Sequence, residues 1–205
     1  PADDIYGTAR YKDDKAVAIG IVATGIMYNK KVFDEKKWAP PTSWKDLKDP
    51  KYKKQLVVPP LNNTYGLHAL VEYAREGGGS EKKIDAGFTT FKNEVGPNVL
   101  VYEPSPGKMT ELFSSGQAVI SVWGSGRAKS FADTGFPVGF VYPQEGAYAL
   151  LSSVCPVAKS ATNPLAQAFV QYLVTPEVQE KLASAYGYGP VNKKAKVEDC
   201  LLYTS

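Results

Sequence analysis

The sequence is poor in the residues that build metal centres, disulfide frameworks and most nucleophilic active sites. Its 205 residues include one histidine, His68, and two cysteines, Cys155 and Cys200. One histidine excludes histidine-rich metal sites and most Ser-His or Cys-His catalysis. Two cysteines are too few for a disulfide framework or a cysteine-based zinc site. We therefore expect no metal and no cofactor.

The sequence also lacks a strong excess of one charge and lacks long hydrophobic runs. The 24 lysines and arginines nearly balance the 21 aspartates and glutamates, which leaves a formal net charge of +3. The basic residues are scattered rather than gathered with aromatic residues, so no nucleic acid is expected as a partner. No apolar run approaches the roughly 18 residues that a membrane-spanning helix needs. With 43% hydrophobic and 22% charged residues, the composition is typical of a globular protein.

Neither end of the sequence has the features of a natural terminus. It opens on Pro1 rather than Met, so we expect the true start, with any signal peptide, to lie upstream. Residues 200–205 match the translation of a transposon end used to prepare sequencing libraries, and we interpret them as a sequencing-adapter translation. A natural apolar tail is the alternative. Cys155, within an apolar run, is predicted to be a buried and inert thiol.

Strand and helix patterns alternate along the chain. Strands are predicted at 16–29 (one or two), 55–59, 98–102, 118–123, 138–142 and 148–157. Helices are predicted at 32–37, 65–75, 81–94, 106–116, 126–134, 164–174 and 176–185, with a further short helix capped by Thr42 or Ser43. The alternation predicts an α/β fold with a mostly parallel sheet and helices on both faces.

Several segments together resemble one protein family. PTSWKDLKDPKYKK at 41–54 and SSGQAVISVWGSGRA at 114–128 are followed by PVGFVYPQEGA at 137–147, NPLAQAFVQYLVTPEVQEKLA at 163–183 and YGYGPVN at 186–192. In order and spacing they resemble bacterial extracellular solute-binding proteins of ABC importers, in the branch that includes polyamine and ferric-iron binders. The resemblance covers nearly all of 16–197.

The resemblance implies a type II periplasmic-binding-protein-like fold, with two α/β lobes and a ligand cleft between them. It implies that 1–25 form the end of lobe 1 and a crossing, 26–148 form lobe 2, and 149–199 form the second crossing, the return to lobe 1 and the C-terminal helices. Because relatives are longer, we expect a fragment with a complete second lobe and a partial first lobe. Such a fragment should bind ligand weakly or not at all by itself.

Ligands of open α/β sheets sit beyond the carboxyl ends of strands, near helix N-termini. The loop after the predicted strand 55–59 offers polar and aromatic candidates: Asn62, Asn63, Thr64 and Tyr65. Asn63 or Thr64 could instead simply cap the helix. After the strand at 118–123, Trp123 could stack on a ligand, and Arg127 could pair with a carboxylate or make a structural salt bridge.

Two further places complete the candidate ligand site. Glu103 follows the predicted strand at 98–102 and could receive a cation, or could be an ordinary surface residue. Tyr148 and Ser152 lie on the predicted crossing, where Ser152 or its neighbour could supply a hydroxyl. His68 could face the cleft, but a lone histidine on a helix is more often structural.

The family resemblance implies a substrate-binding component of an ABC transporter. Polyamine binders place carboxylates at positions matching 62–65 and Ser152, whereas this sequence has neutral residues there. We therefore expect a small polar organic solute with an anionic group, paired with Arg127. A polyamine such as spermidine or putrescine is the alternative. The adjacent tyrosines of ferric binders have no match.

The predicted partners are the solute and a membrane permease, and the protein is expected to be a monomer. Ligand would stabilise a closed form, without bond chemistry. We expect a periplasmic or extracellular location, with a lipid anchor if the source is Gram-positive. The alternative of another class is an enzyme on the same fold, with Glu103 and His68 as acid and base. No paired acid and base is evident in the sequence, so we expect no catalysis.

Overall fold

The computed structural model describes residues 2–11, 13, 15–157 and 163–197, so residues 200–205 lie outside it. The chain forms two compact units. The first unit combines residues up to Val22 with those from Ala149 onward, and the second unit runs from Ala23 to Tyr148. Within the described ranges, every helix is too short or too polar to cross a lipid bilayer.

A mixed sheet organises the second unit. Its strands are β1 (Val17–Asn29, in this unit from Ala23 onward), β2 (Leu56–Val58), β3 (Val99–Tyr102), β4 (Ile120–Gly124) and β5 (Val138–Val141), and they lie in the order β3-β2-β4-β1-β5. A sixth strand, β6 (Tyr148–Val154), also pairs with β1.

The expectation of a mostly parallel sheet is wrong because of β1. Strand β2 runs parallel to β3 and β4, as βαβ connections require. Strand β1 is inserted between β4 and β5 and runs antiparallel to both. A continuous apolar run indicates a strand buried on both faces, but it carries no information about direction.

Helices cover both faces of this sheet, as predicted. The helices of the second unit are α1 (Lys30–Lys36), α2 (Thr64–Glu76), α3 (Asp85–Thr90), α4 (Pro106–Ser114) and α5 (Ser125–Ala132). Shorter turns of 3-10 helix occupy Trp44–Lys48 and Pro50–Tyr52, and a π-helical turn occupies Phe91–Val95. The predicted helix at 81–94 begins only at Asp85, because Ser80 and Lys83 exchange backbone hydrogen bonds in a tight turn.

Alternate strand residues feed two separate cores. Ile26 and Tyr28 of β1 join one cluster with Tyr73 of α2, whereas Met27 joins a second cluster with Phe113 of α4. This is the period of two expected of a strand with both faces covered. The sheet is therefore packed on both faces, and the loops that follow its strands project from its edges.

The first unit has a smaller buried core and an exposed helix. It contains α6 (Pro164–Leu173) and α7 (Pro176–Tyr186). None of the residues of α6 is buried, and Leu165 is 79% exposed. Cys155 is exposed as well, so the predicted buried thiol is wrong. The physical reason is that β6 ends at Val154, and Cys155 lies in the extended segment just beyond the strand.

Candidate functional site

The ends of β2 and β4 bring two predicted segments together in the second unit. Tyr65, in the first turn of α2, and Trp123, near the end of β4, have ring centroids 5.6 Å apart. A side chain on Gly124 would collide with the Tyr65 phenol, so this glycine lets Tyr65 lie over the end of β4. The loop at 62–65 and the segment 123–127 therefore form one candidate site.

The loop before α2 is neutral and is shaped by a helix cap. The Asn63 side chain accepts a hydrogen bond from the Tyr65 backbone N–H at 2.9 Å, so Asn63 serves as the cap. Asn62 and Thr64 are exposed beside it. The positive end of the α2 dipole and these neutral side chains favour an anion over a cation at this position.

Trp123 and Arg127 differ sharply in their exposure. Trp123 is only 2% exposed and packs in the core, so the predicted stacking of its ring on a ligand does not fit this structure. Arg127 is exposed in the first turn of α5 and has no ion pair within the described part of the chain. The salt-bridge alternative for Arg127 therefore finds no support.

A row of side chains on α2, formed by His68, Glu72 and Arg75, holds Tyr148 through ring contacts and a hydrogen bond. The Nδ1 atom of His68 lies 2.8 Å from the Thr24 hydroxyl, and the His68 ring stacks on Tyr148 with centroids 5.1 Å apart. The Tyr148 hydroxyl donates to Glu72 at 2.8 Å, and the Arg75 guanidinium lies 5.4 Å from the Tyr148 ring centre. The candidate hydroxyl of Tyr148 is thus already committed within the protein.

Burial controls the ionisation of this row. It lowers the pKa of His68 below the ordinary value of 6.5, which favours the neutral imidazole near neutral pH. Burial, followed by the hydrogen bond to Glu72, raises the pKa of Tyr148 far above its ordinary value. Both rings are therefore neutral hydrogen-bonding groups at physiological pH, which fits the structural role considered for His68.

Glu103 follows β3 beside the end of β2, whereas Ser152 lies in the first unit. The Glu103 carboxylate accepts a hydrogen bond from the Ser105 N–H at 2.8 Å, and the Glu103 N–H donates to the Val58 carbonyl at 3.2 Å. Glu103 therefore helps to order the loop before α4. Ser152 belongs to β6 in the first unit, where it is partly buried, and its predicted contact with ligand stays a prediction.

Sequence reasoning named His68 and Tyr148 but missed Thr24, Glu72 and Arg75. His68, Glu72 and Arg75 recur at spacings of four and three, which places them on one helix face. Thr24 is a polar residue within the apolar run of β1 and is fully buried. A polar residue inside a buried strand needs a hydrogen-bond partner, so Thr24 was the feature of the sequence that could have indicated this row.

The described residues offer no support for metal or acid–base chemistry. Across these residues, no group of three or more His, Cys, Asp or Glu side chains could hold a metal ion. The alternative pair of Glu103 and His68 gains no support either, since Glu103 bonds to the Ser105 backbone and His68 to Thr24. The arrangement is one of exposed polar groups around Tyr65, suited to holding a solute.

Comparison with known proteins shows the family. The family model described as bacterial extracellular solute-binding protein matches residues 2–205. The spermidine/putrescine-binding periplasmic proteins of Salmonella typhimurium and Escherichia coli are each 26% identical over 175 residues, which is 85% of this chain and 49% of theirs. The chain thus spans about half the length of these curated relatives.

Solved structures show the fold. A protein described as an ABC transporter from Clostridium perfringens has a TM-score of 0.80 at 24% identity, over 98% of this chain and 63% of that one. A ferric binding protein from Campylobacter jejuni has a TM-score of 0.73 at 18% identity, over 97% and 64%. The expected two-lobed α/β fold of the periplasmic binding proteins is confirmed, and the chain spans less than two thirds of these structures.

Proposed function

Because the chain belongs to the family of bacterial extracellular solute-binding proteins, we propose that it is part of the substrate-binding component of an ABC importer. In this role it captures a small polar organic solute that carries at least one anionic group. The solute is passed on to a membrane permease. The process needs only binding and release, so no covalent step is assigned to any residue.

Arg127 carries the proposal of an anionic solute. Its guanidinium is exposed at the start of α5 and is not paired with a carboxylate of the described residues. A planar guanidinium can bind a carboxylate or a phosphonate through two parallel hydrogen bonds. Tyr65, against Trp123 and Gly124, supplies a wall where β4 leads into α5, and Asn62 and Thr64 supply exposed polar groups at the start of α2.

A polyamine is the second candidate, and the curated relatives favour it. Those relatives are named as spermidine/putrescine-binding proteins, although they share only 26% identity with this chain. Polyamines need carboxylates, and of the candidate residues only Glu103 has one. That carboxylate already accepts a backbone hydrogen bond. The charge of the candidate site therefore supports an anionic solute over a polycation.

The test is a binding panel on the complete product of the source gene and on this chain. Calorimetry with dicarboxylates, phosphonates, sugar phosphates and polyamines identifies the solute class. Arg127→Gln should weaken binding of the anionic solute by about tenfold to a hundredfold, as expected for the loss of a charged hydrogen-bond donor. Lys45→Gln, which removes an exposed cation on a different helix, is the matched control.

The panel separates the two candidates directly. Unchanged affinity of Arg127→Gln for every anionic solute would exclude the anionic assignment. Tight binding of spermidine, abolished by Glu103→Gln but not by Arg127→Gln, would establish the polyamine instead. Recovery of chemically altered solute would contradict both and would favour an enzyme.

Location and partner follow from the same proposal. The family is extracellular by description and the curated relatives are periplasmic, which supports a periplasmic or extracellular site of action. A membrane permease is the partner that the proposed importer role implies. A lipid anchor and a monomeric state remain predictions.

A further inference from the structure

A cavity in the second unit shares no lining residue with the Tyr65–Arg127 site. It has a volume of about 640 Å³ and lies beyond the ends of β2 and β3, against α2, α3 and the π-helical turn. The lining residues used below are Leu61, Leu70, Phe88, Phe91, Lys92 and Tyr102. We call it the β2–β3 cavity.

The β2–β3 cavity has an apolar floor and an unusually exposed apolar rim. Leu70 is 3% exposed and forms part of the floor. Leu61, Phe88 and Tyr102 are 47%, 48% and 52% exposed. A single exposed apolar side chain is ordinary on a protein surface, but three around one cavity indicate a surface that is covered by something else.

Close packing of helices sets the shape of the cavity. Helix α3 approaches α2 at Gly87, where a Cβ atom would lie 2.5 Å from the Leu70 carbonyl oxygen. The π-helical turn begins at Phe91, whose ring lies 6.2 Å from that of Tyr102 and 5.9 Å from that of Tyr73. Turns of π-helix are rare and occur often at functional sites. The aromatic wall is thus part of a packed framework.

The lining of this apolar cavity includes one cationic side chain, that of Lys92. Lys92 is the only charged residue among those that line it. Lys92 is exposed and makes no ion pair with any carboxylate that the structure describes. By contrast, the Lys48 ammonium, which is more buried, is held by Glu76 at 2.8 Å and by Glu94 at 3.0 Å. The ammonium of Lys92 is therefore available to a ligand.

We propose that the β2–β3 cavity binds a small amphipathic carboxylate, with its aromatic or branched hydrocarbon part among Phe88, Phe91 and Tyr102 and its carboxylate at the Lys92 ammonium. Ligand pockets typically measure about 300 to 1,000 Å³ and combine a mainly apolar lining with a few polar groups. The cavity meets both conditions. This site is separate from the solute site proposed above and does not depend on it.

The probe is para-fluorophenylpropionate, titrated against the full chain and followed by fluorine NMR. Its neutral analogue, para-fluorophenylpropanol, separates apolar burial from charge pairing. We expect millimolar affinity for a probe of this size, with the anion bound up to about fivefold more tightly than the alcohol. Lys92→Gln should remove that preference, while Lys45→Gln should retain it.

A second pair of variants locates the hydrocarbon part. Phe88→Ser should weaken binding of both probes at least severalfold. Phe169→Ser, which removes an exposed aromatic ring from α6, should leave the affinity unchanged. Leu61→Ser provides a second rim variant in case Phe88→Ser unfolds, and tryptophan fluorescence checks that each variant is folded.

Three outcomes would overturn the inference. Absence of binding would mean that the cavity takes no such ligand. Equal binding of acid and alcohol would remove the role of Lys92. Loss of the preference in Arg127→Gln rather than in Lys92→Gln would place the anion at the solute site.

Discussion

Gly66→Ala should destabilise the second unit, although alanine is the better helix former. Gly66 is the third residue of α2. A Cβ atom there would overlap the Pro59 carbonyl oxygen and lie 2.6 Å from that of Pro60 and 2.9 Å from the Pro59 carbonyl carbon. These are backbone atoms of residues whose φ angles are fixed by their rings, so the loop cannot yield as a flexible side chain would.

The expected magnitude follows from two opposing terms. Alanine in place of glycine stabilises a helix interior by about 1 kcal/mol. Forcing an extra methyl group into a packed site costs about 1–3 kcal/mol. Because the overlap involves two carbonyl oxygens of the backbone, we expect the upper part of that range. The net free energy of unfolding should therefore fall by about 1–2 kcal/mol.

Gly107→Ala is the matched control. Gly107 also lies in the first turn of a helix, α4, but the nearest atom to a Cβ there is the Ser105 hydroxyl at 3.8 Å. With no clash, this variant should stabilise the second unit by up to about 1 kcal/mol. The two substitutions are chemically identical, so their difference isolates the contact with the Pro59–Pro60 backbone.

Urea unfolding followed by tryptophan fluorescence measures both variants. All three tryptophans of the sequence, Trp38, Trp44 and Trp123, lie in the second unit, so the signal reports on that unit. The midpoint should fall for Gly66→Ala and rise for Gly107→Ala, with similar slopes. If Gly66→Ala stabilised the unit as much as Gly107→Ala does, the close approach of α2 to the loop would be refuted.

Two more predictions concern polar groups, the half-buried His68 in the second unit and the buried Gln179 in the first. Burial lowers the pKa of His68 below 6.5, so the unfolded chain takes up the proton first as the pH falls, and the free energy of unfolding decreases below about pH 6.5. His68→Gln should make this decrease shallower in urea titrations between about pH 7 and pH 5. An unchanged dependence of the free energy of unfolding on pH would contradict the assignment. In the first unit, Gln179 is 1% exposed, donates to the Ile19 and Leu173 carbonyls at 2.8 Å each and accepts from the Val191 N–H at 2.7 Å. Gln179→Leu should cost about 2–4 kcal/mol and accelerate hydrogen exchange at Val191, whereas the exposed Gln171→Leu should not; normal protection at Val191 in Gln179→Leu would show that these bonds are dispensable.

Local sequence signals predicted most of the elements because their causes are local. The capping residue Asn63 and the proline at the start of α4 each mark a helix start that the structure confirms. The run at 138–142 likewise became a strand, β5. The direction of β1 was beyond such reasoning, because direction depends on which strands lie beside it.

Trp123 shows why the site was harder to predict than the fold. A tryptophan followed by Gly-Ser-Gly has the pattern of a ligand-stacking residue. In β4, however, Ser121 and Trp123 share one strand face, and helices cover both faces of this sheet. With both faces covered, alternation cannot reveal an exposed position, so the burial of Trp123 depends on α4 and α5 rather than on its neighbours in sequence.

Two glycines determine where Tyr65 lies relative to the end of β4. Gly66 allows the start of α2 to approach the carbonyls after β2, and Gly124 leaves space for the Tyr65 phenol at the end of β4. Neither glycine has a positive φ angle, so both are needed for close approach rather than for an unusual backbone conformation. Arg127 follows Gly124 by three residues, in the first turn of α5. The position of Tyr65, the wall of the proposed solute site, therefore depends on the absence of side chains at two positions, which is why the Gly66 variant also tests how the site is built.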